Sequence, residues 1–360
     1  MTHEIKTIRG AMERNGWFNS DGYYVLFDGQ YGSTGKGLLA SVMAEAMGHN
    51  IDTVATNAAP NSGHTAYLPC GTKIVTQQLP VGAIVAAKLG HDTAMYINAG
   101  AAIDLDILVD EINTHMPHGL TIHPSAAVIK DADGAADAHH IASTGKGVGP
   151  AFARKIARKM DAVFSGASSP AAQFVKSHAV TAVMAPYESG RCLVETAQGW
   201  SLGINSGFYP HVTSRECSVS MALSDMGVSP KSLCKSIASL RTFPIRVGST
   251  DAGYSGPCYG DQKEISFEDI GQKPELTTVT KRVRRIFTWS WEQFEGMLLA
   301  NEPDALFINF MNYLPDGERG LFVNDVIQSY RVVLGRSPDF VLGGYGPYNK
   351  DVKLEWEHDY

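Results

Sequence analysis

At 360 residues, 44% hydrophobic and 19% charged, the chain has an ordinary globular composition and can bury a large core in one big domain or two smaller ones. A net charge of −7 and a pI of about 5.9 exclude a broad electrostatic grip on nucleic acid, so anions must be bound locally. Five widely spaced cysteines without a Cys-x-x-Cys pair argue against a disulfide framework or a zinc site, and no stretch reaches the ~18 apolar residues of a membrane span. A cytoplasmic protein is expected, with neither nucleic acid nor membrane as a partner.

Residues 1 to 20 read as a short leader without an apolar signal segment, with a helix over Ile5 to Asn15 laid outside the core. Tyr23 to Phe27 is a β-branched and aromatic run that reads as a buried strand, and Leu38 to Met47 reads as a helix. Between them stand Gly29, Gly32, Gly35, Lys36 and Gly37. Such a loop presents backbone N–H groups at a helix N-terminus, where the dipole favours anions, and Lys36 adds a positive charge. It is a phosphate cradle but no Walker A motif: five residues separate Gly29 from Gly35, and Gly37 replaces the Ser or Thr that would hold Mg²⁺.

Strand-like runs then alternate with helical ones: Thr53 to Thr56, Lys73 to Thr76, Ala94 to Asn98, and the helix Leu105 to His115. This rhythm predicts an α/β fold with a mostly parallel central sheet flanked by helices, and ligands at the carboxyl ends of its strands. No repeat or low-complexity tract interrupts it, so the chain is expected to form one domain over residues 1 to 360.

After the second strand, His64 lies in a small-residue turn beside Asn61 and Thr65, where an imidazole can exchange a proton with a ligand at the mouth of the sheet. The run Asp131 to His140 imitates a metal site but reads as a solvated loop or helix start. Ile141 to Arg158 joins the Ser143 and Thr144 hydroxyls to three glycines and a basic helix, a second anion site suited to a phosphomonoester. Gly248 to Gly260 is rich in breakers and reads as a long surface loop.

Two phosphate sites around a histidine suggest phosphoryl transfer between a nucleoside triphosphate and a nucleotide, and here the chain resembles the adenylosuccinate synthetase family. Gln30-Tyr-Gly-Ser-Thr-Gly-Lys-Gly37 stands for the family's Gln-Trp-Gly-Asp-Glu-Gly-Lys-Gly, Asn61-Ser-Gly-His-Thr65 for Asn-Ala-Gly-His-Thr, and Ser143 to Phe152 for Thr-Thr-Gly-Arg-Gly-Ile-Gly-Pro-Ala-Tyr. Glu195-Thr-Ala-Gln-Gly, Tyr209-Pro-His-Val-Thr-Ser, Arg246-Val-Gly and Thr280-Lys-Arg-Val-Arg-Arg285 continue the match in order.

The resemblance implies a P-loop-related fold and a two-step ligase. A γ-phosphate goes onto O6 of a purine monophosphate, and the amine of L-aspartate then displaces it. It implies that Ser33, Thr34, Gly35, Lys36, Gly37, Gly63, His64, Thr65, Asn312, Gly346 and Pro347 meet the triphosphate. Ser33, Asn61, Ser143, Thr144, Gln198, Thr213, Val247, Arg282 and Arg158 meet the nucleotide, Arg158 from the partner in a homodimer. Thr280, Arg282 and Arg284 meet aspartate. His64, Gln198 and Ser33 are the catalytic positions, and Mg²⁺ is the cofactor, resting on the phosphates, Gly63 and Ser33.

Two departures narrow the substrate. Ordinary members carry an Asp where this chain has Ser33; that Asp takes the N1 proton of hypoxanthine, which a hydroxyl cannot do at pH 7. Ordinary members read guanine in the donor through Thr-Lys-x-Asp, where this chain has Asn309-Phe-Met-Asn312, and an amide accepts adenine. A bacteriophage branch of the family, the 2-aminoadenylosuccinate synthetases of phages with 2,6-diaminopurine DNA, shows such changes. The expectation is therefore dGMP, ATP or dATP, and L-aspartate as substrates, against an ordinary IMP enzyme or an inactive nucleotide-binding regulator.

Overall fold

The computed structural model describes residues 1–117, 119–137, 141–165, 171, 174, 181–182, 190–250, 253–277 and 282–358. Helix α1 (His3–Arg14), strand β1 (Gly22–Asp28), helix α2 (Lys36–Met47) and strand β2 (Thr53–Thr56) lead into an antiparallel pair, β3 (His64–Tyr67) and β4 (Lys73–Thr76). Then come α3 (Val81–Lys88), β5 (Ala94–Ile97), β6 (Ala102–Ile103), α4 (Leu105–His115), β7 (Leu120–Ile122), β8 (Ala127–Val128), α5 (Asp131–Ala135) and α6 (Val148–Ile156). The second half holds β9 (Thr181–Ala182), β10 (Arg191–Glu195), α7 (Val219–Met226), β11 (Leu233–Arg241), β12 (Ile245–Arg246), β13 (Glu264–Ile265) and β14 (Arg285–Phe287). It ends with α8 (Trp291–Asn301), β15 (Ala305–Asn309), α9 (Asp316–Leu334), β16 (Phe340–Gly344) and β17 (Val352–Glu357).

Among the described residues, one ten-stranded sheet runs β17-β16-β15-β11-β1-β10-β2-β5-β7-β9. Every pairing in it is parallel except the edge pair β16 and β17. Because both faces are covered, β1 is apolar on both sides up to Phe27: Tyr24 and Leu26 join one core with α1, α2 and α3, while Val25 and Phe27 join the other with α7, α8 and α9. The expected α/β class is what the chain adopts.

Two sequence expectations change. The leader is not laid outside the core: Ile5, Ile8, Ala11 and Met12 of α1 are fully buried, and Arg14 forks onto Glu357 of β17. The spacing of those four places them on one helical face, which burial stabilises by roughly 1.5–3 kcal/mol for each large side chain. Lys73 to Thr76 is a strand, but it pairs with β3 outside the central sheet. Of the Asp131 to His140 run, Asp131–Ala135 forms α5 and Asp133 pairs with Arg154, while His139 and His140 lie outside the described residues. No described helix is long and apolar enough to cross a membrane.

Candidate active site

The parallel strands β1, β2, β10, β11, β15 and β16 all point their carboxyl ends toward one edge of the sheet, and the segments that leave them converge there. They enclose a cavity of about 620 Å³ lined by Ser33 to Gly37, Asn61, Gly63 to Thr65, Ser143, Thr144, Gln198, Thr213, Val247 and Arg284. Asn312, Gly346, Pro347, Arg158 and Arg282 are not in its lining, and Thr280 lies outside the described residues. Arg158 is exposed just beyond α6, and Arg282 is exposed with its N–H donating to Thr277 Oγ1 at 2.9 Å.

The phosphate loop is built around Asp28, the last residue of β1. Its Oδ1 accepts from the N–H groups of Gln30 (2.9 Å) and Gly32 (3.2 Å). Its Oδ2 accepts from Thr34 N–H (3.3 Å), Thr34 Oγ1 (2.6 Å) and Lys36 Nζ (3.2 Å). The backbone and hydroxyl donors among these are therefore committed to the protein, and the amides at the start of α2, with the remaining N–H of the Lys36 ammonium, are the ones left to face an anion. Lys36 Nζ also donates to Gln198 O at 2.7 Å, tying the loop to the segment after β10.

Gly35 caps α2 with φ 98°, and a Cβ there would lie 2.0 Å from Asn309 Nδ2. At Gly37 a Cβ would lie 2.4 Å from Thr65 O, so the residue that breaks the Walker pattern is the one that lets α2 approach the strand bearing His64. Ser33 is exposed to the cavity with φ 57°, a left-handed conformation.

His64 opens β3 and is mostly buried, with Nδ1 3.7 Å from Glu195 Oε2. Glu195, at the end of β10, accepts the N–H groups of Val81 (3.1 Å) and Gly82 (2.7 Å) at the start of α3. Gln198 has φ 58° and is fixed on both sides of its amide: Nε2 donates to Asn61 Oδ1 at 2.7 Å, while Arg215 donates to Oε1 from Nε (3.0 Å) and Nη2 (2.7 Å). Burial pulls the Arg215 guanidinium below its ordinary range, against the opposing charge of Cys217 and Asp225.

At the opposite wall, Arg241 is fully buried and forks onto Glu275, Nη2 to Oε1 at 2.6 Å and Nη1 to Oε2 at 3.2 Å. Burial pushes the Glu275 carboxyl up, but the charge and hydrogen bonds of Arg241 hold it below the usual carboxylate range. Arg284 is lowered to about 10, first by burial and further by Arg241, with Glu275 opposing. Near the second anion site, Ser143 Oγ accepts Gly145 N–H at 3.3 Å and Asp137 accepts Gly147 N–H at 3.0 Å at the start of α6.

Sequence reading missed Asp28, Glu195, Arg215, Arg241 and Glu275 as working residues. Asp28 and Arg241 were findable as polar residues ending buried strands; Glu275 finds its partner 34 residues away, and no local spacing signals that.

Among the described residues no group of three or more His, Cys, Asp or Glu side chains is placed to hold a metal ion. Ser33 and Gly63 line the cavity and carry hydroxyl and carbonyl oxygens of the hard type that suits a Mg²⁺ ion arriving on a triphosphate.

The adenylosuccinate synthetase family model matches residues 25–167 and 167–314. The chain is 38% identical to the N6-succino-2-amino-2'-deoxyadenylate synthase of Salmonella phage PMBT28, over 93% of this chain and 98% of that protein. It is 37% identical to the synthase of the same name from Vibrio phage phiVC8, over 92% and 97%. Among solved structures, cyanophage S-2L succinoaminodeoxyadenylate synthetase bound to dGMP and dATP as an energy donor matches with a TM-score of 0.80 at 31% identity, covering 93% of this chain and 96% of that one.

Proposed function

This chain belongs to the adenylosuccinate synthetase family, and we propose that within it the protein joins L-aspartate to C6 of dGMP, with ATP or dATP as donor, to give N6-succino-2-amino-2'-deoxyadenylate. The observation that carries the reading is Ser33: a short neutral side chain stands at the cavity edge where the family's base-facing carboxylate belongs, inside a site that keeps Lys36, His64, Gln198, Thr213 and Arg284. Shortening the side chain makes room for the 2-amino group of guanine, and the hydroxyl accepts its hydrogen bond.

The chemistry then divides along the cavity. Lys36 and the amides opening α2 hold the triphosphate, and phosphoryl transfer asks for little beyond placing charge. His64, backed by the Glu195 carboxylate, is the acid that supports transfer of the γ-phosphoryl group to O6. The amine of aspartate next attacks C6, loses a proton, and the O6 phosphate departs with its bonding electrons. Arg284, together with Thr280 and Arg282, holds the aspartate carboxylates. Gln198 lies by the base, and Thr144 and Thr213 hold the 5'-phosphate. Ser33 and Gly63 would hold a Mg²⁺ ion arriving with the triphosphate, which when bound would neutralise charge on the phosphates. Asn312, Gly346 and Pro347 meet the donor base.

Arg158 is proposed to complete the nucleotide site of a second copy in a homodimer; exposed Ile156 (78%) and Met160 (66%) flank it and supply apolar contact area. A silent regulator would not need His64 and Arg284 in the cavity that holds Lys36. Turnover of dGMP and of IMP, each with ATP or GTP plus aspartate and magnesium, tests the reading. The expected result is a product with the mass of dGMP plus aspartate less water, formed with ATP. Equal or faster turnover of IMP sinks it.

A further inference from the structure

We infer that Glu275 is a positioning residue that couples the two sides of the cavity, so that a bound triphosphate tightens the grip on the amino acid; this rests on the reading just given. The carboxylate–guanidinium pair of Glu275 and Arg241 touches three separate segments. Arg241 Nη1 donates to Ser33 O at 3.3 Å, in the phosphate loop. Its guanidinium lies 3.8 Å from the ring centroid of Phe310, which lines the cavity in the turn after β15, and Tyr313 of the same turn donates its hydroxyl to Glu275 Oε1 at 3.0 Å.

On its backbone side, Glu275 O accepts Arg284 N–H at 2.9 Å, and Thr277 N–H donates to Arg282 O at 2.8 Å. The stem that carries Arg284 is thus anchored at its base to the backbone carbonyl of the residue whose carboxylate meets Arg241 and the donor turn.

A buried ion pair contributes little net stability relative to a well-packed apolar replacement, so its value here lies in what it fixes. Its two charges satisfy each other only in one geometry, with the fork of Arg241 in register with both carboxylate oxygens. When a triphosphate orders the Ser33 to Gly37 loop or packs against Phe310, Arg241 is held in that register, and Glu275 holds the Arg284 backbone with it. By linkage, aspartate must tighten the donor by the same factor.

The test is calorimetric binding of L-aspartate to the full-length protein with dGMP present, with and without magnesium and a non-hydrolysable ATP analogue. Wild type is expected to bind aspartate about tenfold more tightly with the analogue, within the usual range of coupling energies. In Glu275→Gln that ratio is expected to fall below about 3, while affinity for the analogue alone stays within about threefold. Arg241→Lys keeps the charge but not the fork and is expected to lose the ratio as well, which decides the matter if Glu275→Gln does not fold. A wild-type ratio near one, or a ratio kept in a folded variant, overturns the inference. Absence of succinylated product from dGMP would instead refute the proposed activity and leave these binding ratios readable.

Discussion

His64 Nδ1 lies 3.7 Å from a Glu195 carboxylate whose oxygens also receive the first two amides of helix α3. The helix terminus holds the carboxylate still, and the carboxylate stands beside the imidazole to fix its orientation. Glu195→Gln keeps the shape but removes the charge. It is expected to lower kcat about 10- to 100-fold with KM values nearly unchanged, a part of the roughly 100- to 10,000-fold that general acid catalysis supplies. Steady-state kinetics with all three substrates checks it; a rise in KM without a fall in kcat would place Glu195 in binding instead.

Ser33→Asp is the selectivity experiment. Asp tolerates the left-handed conformation found at φ 57°, so the loop is expected to keep its shape. The longer carboxylate takes the space proposed for the 2-amino group and restores the base expected for hypoxanthine. The expected outcome is a fall of about 100-fold in kcat/KM for dGMP and a gain in IMP turnover, the scale of a mispaired buried polar group. Full retained activity with dGMP would show that Ser33 is not the selector.

How much of this could be read from sequence follows from the range of each interaction. The segments at strand ends were legible because glycine and small-residue turns between a buried strand and a helix are local signals, as in Gly29 to Gly37. α4 was legible to the residue, since Asp104 caps it through the N–H groups of Asp106 and Ile107. Long-range pairs were not: Arg241 with Glu275, Lys36 with Gln198 O, and Arg215 with Gln198 are fixed by tertiary packing. The leader misled because its apolar face is narrow and its partner strand, β17, closes the far end of the chain.

Lys36→Met separates loop stability from phosphate binding. It leaves the buried Asp28 carboxylate without its only ion-pair partner among the described residues, which costs about 3 kcal/mol when a buried pair is broken. The double variant Asp28→Asn/Lys36→Met removes both charges and is expected to regain much of the thermal stability. Activity is expected to stay down about 1000-fold, because the γ-phosphate still lacks its cation. Recovery of turnover in the double variant would mean Lys36 serves the loop and not the phosphate.

Arg284 makes a prediction in which binding and stability move in opposite directions with pH. Burial lowers its guanidinium to about 10, well below the ordinary guanidinium range, with Arg241 adding to the shift and Glu275 resisting it. At pH 7 to 8 it is charged and able to fork onto a carboxylate, and as pH rises through 10 that charge is lost. Aspartate KM is therefore expected to climb about tenfold per pH unit above 10. For stability the sign reverses. The unfolded chain holds this proton more tightly than the folded one, so burial of Arg284 costs stability at neutral pH, and the cost fades as pH rises above 10. Arg284→Met removes both effects: at pH 8 its Tm is expected to equal or exceed that of wild type while aspartate KM rises about 100-fold. A variant that loses Tm and keeps its aspartate KM would show that the guanidinium braces its own segment and never meets the substrate.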